Sequence, residues 1–153
     1  MDYESHLRLE GDAVAVRAAL DAAGGQLVRR NGNAEPADPA DPPGLYWAVI
    51  RPAARNTAVF VARLLWTVYP DRPPSLQFAT AVGGLTDVAS AWPAAQGYRA
   101  PADVCKPFTA EGQALHGEWA SGPHAWRSEG NPFLYVIETL QADIDRVKGA
   151  RAG

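Results

Sequence analysis

Three runs of apolar, β-forming residues crowd the middle of the chain: "LYWAVI" at 45–50, "AVFVARLLWTV" at 58–68 and "SLQFATAV" at 75–82. Aromatic and β-branched side chains at this density suit a pleated, half-buried surface. The spacer "RPAARNT" holds turn formers, so the first two runs read as an antiparallel hairpin. Between the second and third stands "YPDRPP" (69–74), whose prolines cannot donate to a sheet ladder. The chain must leave the sheet there and re-enter it. Pro70 and Pro73 fix their own φ and bias the residues before them away from helix, so the break is a stiff, extended turn.

Helical patterns flank this region. Asp12 is placed to cap "AVAVRAALDAA", with Val16, Leu20 and Ala23 on one face and Gly24 and Gly25 ending it. "HLRL" before it fits helix or strand. "QLVRR" (26–30) reads as a first strand. At the far end Asn131 caps a helix whose first residue is Pro132, a favoured place for proline. Its apolar face is Phe133, Val136, Ile137, Leu140, Ile144 and Val147. Strands grouped between helices indicate α+β rather than alternating α/β. The segment 31–44, "NGNAEPADPADPPG", has no large apolar side chain and reads as an exposed Pro/Ala/Asp-rich loop. Residues 83–130 show no sustained stripe, and a segment that long is usually functional or disordered.

The 153 residues fit one domain over 1–153, and 47% hydrophobic content suffices for a packed core. A net charge of −3 without a basic stripe argues against nucleic-acid binding. Lys148 and Arg151 read as charges suited to a helix C-terminus. No apolar stretch is long enough to cross a bilayer, and residues 1–9 lack a secretory apolar region, so no membrane partner is expected. One cysteine, Cys105, allows no intrachain disulfide and suits a reducing, cytoplasmic location. The wealth of Ala, Arg, Gly and Pro is what a GC-rich bacterial genome yields.

Tyr69-Pro70-x-x-Pro73-Pro74 after a long strand, then Cys105, then Trp126 before the apolar helix "FLYVIETLQADI", resembles the ubiquitin-conjugating enzyme family. The resemblance spans about residues 12–147 in order. It implies an α+β fold: N-terminal helix, four-stranded antiparallel meander, irregular active-site segment, C-terminal helix. It also implies a transferase that carries a ubiquitin-like modifier as a thioester on Cys105 and passes it to an amine of a protein target. The implied partners are a ubiquitin-like protein and a ubiquitin-activating-like enzyme; no cofactor or metal is implied. Tyr69, Pro70, Pro73 and Pro74 are the fold motif, and a bacterial conjugation pathway is the natural setting.

Around Cys105, "ADVCKPF" alternates so that Val104 turns inward and Cys105 outward, where a thiolate can act as nucleophile. Asp103, His116, His124 and Trp126 are the supporting candidates. Within "KPFTAEGQALHGEWASGPHA", Glu111, His116, Glu118 and His124 are able to accept a proton from an incoming amine. The chain departs from the family in lacking His-Pro-Asn before the cysteine. Trp92-Pro93 is the nearest echo and Gln96 the nearest amide. Losing a positioned oxyanion donor costs on the order of 100-fold in rate, so the second expectation is a non-catalytic relative, an RWD-type module that binds a ubiquitin-like protein or another partner. Trp126-Arg127-Ser128 replaces the family's Trp-Ser-Pro, and the stretch from Tyr69 to Cys105 is longer than the family's. A zinc site from Cys105, His116 and His124 fits no ligand spacing, a Cys-His-Asp hydrolase using Asp103 lacks a nucleophile elbow, and neither "VGGLT" nor "AAGGQ" can cradle phosphate.

Overall fold

The structure is a computed structural model that describes residues 1–30, 41–54 and 58–153. Its order is α1 (Tyr3–Ala22), β1 (Gln26–Val28), β2 (Leu45–Ile50), β3 (Phe60–Leu65), β4 (Ser75–Ala79), β5 (Tyr98–Arg99), β6 (Asp103–Val104), α2 (Ala110–Leu115) and α3 (Pro132–Arg146). Strands β1 to β4 form one antiparallel sheet in chain order, and β5 and β6 a separate small hairpin. The α+β architecture is the expected one: N-terminal helix, four-stranded antiparallel sheet, C-terminal helix.

Period-two alternation decides which side chains meet. Tyr46 pairs Leu64, which pairs Leu76; Ala48 pairs Ala62, which pairs Phe78. All are buried and face both helices in one core with Leu9, Val16, Leu20, Phe133, Ile137, Leu140 and Ile144. The other face carries Leu45, Trp47, Val61 and Ala79 as a smaller cluster. Strand β3 stops at Leu65 rather than Val68, but Trp66 still bonds the chain of β2, donating its amide to the Gly44 carbonyl at 2.8 Å.

Three readings of the sequence are corrected. The first helix begins at Tyr3, capped by Asp2, whose carboxylate accepts from the Ser5 amide at 2.8 Å. Asp12 is therefore mid-helix, not a cap, and Gly11 is spanned. The buried stripe is Leu9, Ala13, Val16 and Leu20, while Ala23 is exposed. Second, of the loop expected at 31–44, residues 31–40 lie outside the described residues, and Asp41 is buried at 8% exposure. Its carboxylate accepts from Trp47 Nε1 at 2.9 Å and from Arg30 at 3.1 and 2.9 Å. Burial opposes its ionisation, but those hydrogen bonds and the charges of Arg30 and Arg63 outweigh it and hold the carboxyl below its ordinary range. Third, Arg151 does not serve the end of α3. It donates to the carbonyls of Ala58 (3.1 Å), Val59 (2.6 Å) and Ser90 (3.2 Å), with its guanidinium 4.1 Å from the Phe60 ring centre.

Helix α3 forms as expected. Asn131 Oδ1 accepts from the Leu134 amide at 2.9 Å, Pro132 opens the first turn, and Phe133, Val136, Ile137, Leu140 and Ile144 are buried. Burial at roughly 1.5–3 kcal/mol per large apolar side chain explains why this face, rather than propensity, places the helix. The stripe of α1 is narrower, and polar ties add to it. Asn131 Nδ2 donates to the Asp12 carbonyl at 3.0 Å, and Arg8 donates to the carbonyls of Ser128 (3.0 Å) and Gly130 (3.2 Å). No helix among the described residues is long and apolar enough to cross a membrane.

Candidate functional site

The turn 69–74 joins the sheet to the segment that bears the cysteine. Tyr69 is fully buried, and its hydroxyl donates to the Asp12 carboxylate while accepting from the Phe133 amide at 3.3 Å. One phenol thus ties α1, the turn and α3. Desolvation, then the hydrogen bond and charge of Asp12, push it far above the ordinary tyrosine range, so it stays a donor. The Pro70 carbonyl accepts from Trp126 Nε1 at 2.8 Å, and the Trp126 ring packs 6.1 Å from that of Trp66. The Pro74 carbonyl accepts from the Ala110 amide at 2.9 Å, which sets the start of α2. Glu111 on α2 then accepts from the Leu76 amide at 2.9 Å on the edge strand β4. Glu111 therefore covers a sheet edge and is not a free proton acceptor.

Cys105 follows the β5–β6 hairpin directly. In that hairpin Tyr98 pairs Val104 and Arg99 pairs Asp103. Tyr98 and Val104 turn into the core; Arg99, Asp103 and the half-buried Cys105 share the other side. The inward Val104 and outward Cys105 match the alternation of "ADVCKPF". The Cys105 amide donates to the Gly97 carbonyl at 2.8 Å, extending the hairpin by one rung. Just downstream, buried Thr109 caps α2 by accepting from the Gly112 amide at 3.0 Å, while its hydroxyl donates to the Val104 carbonyl at 2.6 Å. The backbone is thus clamped on both sides of the thiol.

No family model matches the chain, and neither a curated protein nor a solved structure matches it.

The supporting candidates separate into three places. Asp103 lies beside Cys105 but is engaged by Arg99 through Nε (2.7 Å) and Nη2 (2.5 Å). Hydrogen bonding and then charge from Asp103 raise the Arg99 guanidinium above its ordinary range against weak desolvation, and Cys105 adds in the same direction. Arg99 thus shares the thiol's side of the hairpin, and the sequence reading missed it. The clue was its place on the side of β5 that alternation shares with Asp103. His116 stacks on Trp119 with ring centres 4.0 Å apart and bonds Glu118 at 2.8 Å, and the Trp119 ring meets that of His124 at a tilt, 5.6 Å away. That hydrogen bond, with a lesser contribution from the His116 charge, holds the exposed Glu118 carboxyl below its ordinary range. Neither histidine is hydrogen-bonded to Cys105 among the described residues. Trp126 holds the turn, as above. Gln96 is exposed, and Trp92 is buried with its indole donating to the Thr86 carbonyl at 2.9 Å.

A cleft of about 670 Å³ opens beside this segment, walled by Lys106, Phe108, His124, Trp126, Tyr135 and Asp143. Trp126 separates it from a smaller cleft of about 430 Å³ next to Arg72 and Pro73. Asp143 is buried, accepting from Tyr98 Oη at 2.8 Å and from Arg146 Nη1 at 2.9 Å. Burial, then the charge and hydrogen bond of Asp143, push the Tyr98 phenol far above its ordinary range. Among the described residues no cluster of three or more His, Cys, Asp or Glu could hold a metal ion. What the arrangement offers chemically is one accessible thiol on a fixed backbone, a nearby guanidinium, and a cleft beginning at the next residue.

Proposed function

We propose that the chain is a ubiquitin-conjugating-enzyme-like transferase that carries a ubiquitin-like modifier as a thioester on Cys105 and passes it to an amine of a target protein. The observation that carries this reading is the setting of Cys105: half-exposed, one residue beyond an inward Val104, with its amide bonded to Gly97 and the following turn locked by Thr109. A nucleophile needs an accessible sulfur and a backbone that does not yield when the acyl group arrives. The helix–meander–cysteine–tryptophan–helix order and the "YPDRPP" turn against Trp126 support the same reading. Arg99, held by Asp103, stands on the same side of the hairpin as Cys105.

The step is an acyl exchange. The Cys105 thiolate attacks the modifier's C-terminal carbonyl, held as a thioester on the activating enzyme. The new C–S bond forms as the old one breaks, and the donor thiolate leaves. A target amine then displaces Cys105, forming an amide and releasing the Cys105 thiolate and a proton. No redox partner is needed.

Incubation with a cognate activating enzyme, ATP and a ubiquitin-like protein tests this. The wild type should gain a covalent adduct that dithiothreitol removes, and Cys105→Ala should gain none while folding normally. A wild type that stays unmodified would leave the second reading, a non-catalytic module of the same class. The pairing of Asp103 with Arg99, and of His116 with Glu118, favours that second reading, since these two candidate bases already have partners.

A further inference from the structure

The residue after Cys105 is a lysine, and the chain has only two, Lys106 and Lys148. If Cys105 carries an acyl group, the Lys106 amine is tethered next to it at an effective concentration on the order of millimolar or more. It then competes with any external amine. Attack would form a C–N bond at the acyl carbon and break the C–S bond. The Cys105 thiolate would leave, a proton would pass to solvent, and the modifier would be stranded as an amide on the carrier.

The structure turns Lys106 away from that reaction. Its stem crosses Gly97, where a Cβ would stand 3.1 Å from both Cδ and Cε of Lys106. Its ammonium lies 5.9 Å from the Tyr98 ring centre and 3.9 Å from Asp143 Oδ2. It therefore runs along the Tyr98 side of the hairpin, while Cys105 faces the Arg99–Asp103 side. Asp143 is a buried carboxylate beside the apolar stripe of α3, a placement that is costly unless the charge is paired and hydrogen-bonded. Tyr98 and Arg146 fix both its oxygens, so the anchor offered to Lys106 is rigid. Gly97, whose φ of +85° suits glycine, has no Cβ and so leaves the path for the lysine stem open.

We propose that Asp143 is a positioning residue that restrains Lys106 in the cleft, so that an acyl group on Cys105 goes to an external amine rather than to its neighbour. This rests on the thioester reading of Cys105, and the test separates the two. The probe is a short glycine-ended peptide presented as its mercaptoethanesulfonate thioester, with mass analysis before and after dithiothreitol. The wild type should show a thiol-labile adduct on Cys105 and little thiol-resistant adduct on Lys106. In Asp143→Asn the resistant fraction should rise about fivefold, the factor given by losing one ion pair worth about 1 kcal/mol. Asp143→Glu should restore the wild-type fraction, and adding Lys106→Arg to Asp143→Asn should abolish it. Equal resistant fractions in wild type and Asp143→Asn, with Cys105 acylated in both, would overturn the restraint and spare the thioester reading. A second arm needs no thioester and no change at Asp143. With Cys105→Ala as background, an N-hydroxysuccinimide acetate should label Lys106 several times more slowly than Lys148. Equal labelling overturns the restraint, and a wild-type Cys105 that never acylates overturns the thioester reading alone.

Discussion

Gly112 lies so close to the backbone of Lys106 that a Cβ on it would stand 2.1 Å from the Lys106 carbonyl oxygen and 2.6 Å from its nitrogen. The first turn of α2 rests on the chain one residue past Cys105. Backbone cannot move aside as a flexible side chain can, so Gly112→Ala should cost about 1–3 kcal/mol by overpacking. Gly11→Ala is the control, because nothing lies within 4 Å of a Cβ there. Mid-helix, that change should stabilise by about 0.5–1 kcal/mol. Urea unfolding of both variants, with opposite shifts in midpoint, checks the pair.

Cys105 should react with iodoacetamide in the folded protein, since its side faces outward from the hairpin. Cys105→Ala should change stability by less than about 0.5–1 kcal/mol, as expected for a partly exposed site. A thiol that alkylates only after denaturation, or an alanine variant that melts many degrees lower, would place the sulfur in the core.

Tyr69→Phe removes the hydroxyl shared between the Asp12 carboxylate and the Phe133 amide. Phe133 is fully buried, so its amide is left without that partner. The expected cost is about 1–3 kcal/mol, read by thermal or chemical unfolding. Asp12→Asn keeps an acceptor for the phenol and should cost less.

Asp41→Asn tests the buried end of the loop. The folded-state carboxyl is held below its ordinary range, so its contribution is full above the unfolded value of about 3.9 and fades as pH falls through the lower folded value. The wild type should therefore be more stable than the variant at neutral pH, by about 1–3 kcal/mol for the weakened bonds to Arg30 and Trp47. The gap should close below about pH 3.9. A gap that widens in acid would mean the carboxylate is not stabilised by these partners.

The elements legible in the sequence were those with a period or a cap. Strand β2 stands at Leu45–Ile50 as its apolar run indicates, and Asn131-Pro132 starts α3 where both residues favour a first turn. The start of α1 was misplaced because Gly11-Asp12 looks like a break and a cap. Capping by Asp2 and burial of Leu9 and Ala13 outweigh one interior glycine, which costs only about 0.5–1 kcal/mol. The irregular segment was opaque because its structure is made by partners far away in sequence. Glu111 serves Leu76, Thr109 serves Val104, and Trp126 serves Pro70.

By itself the sequence determined the α+β class, the strand order of the meander, the rigid turn at 69–74 and the outward alternation of Cys105, because each follows from neighbours within a few residues. Only the tertiary structure decided that Arg99 takes Asp103, that Trp119 stacks on His116 and meets His124 at a tilt, and that Lys106 reaches Asp143. Those pairings depend on how the hairpin, α2 and α3 come together around buried Tyr98 and Phe108. A charged side chain takes the partner that packing brings within reach, and no local pattern records which one that is.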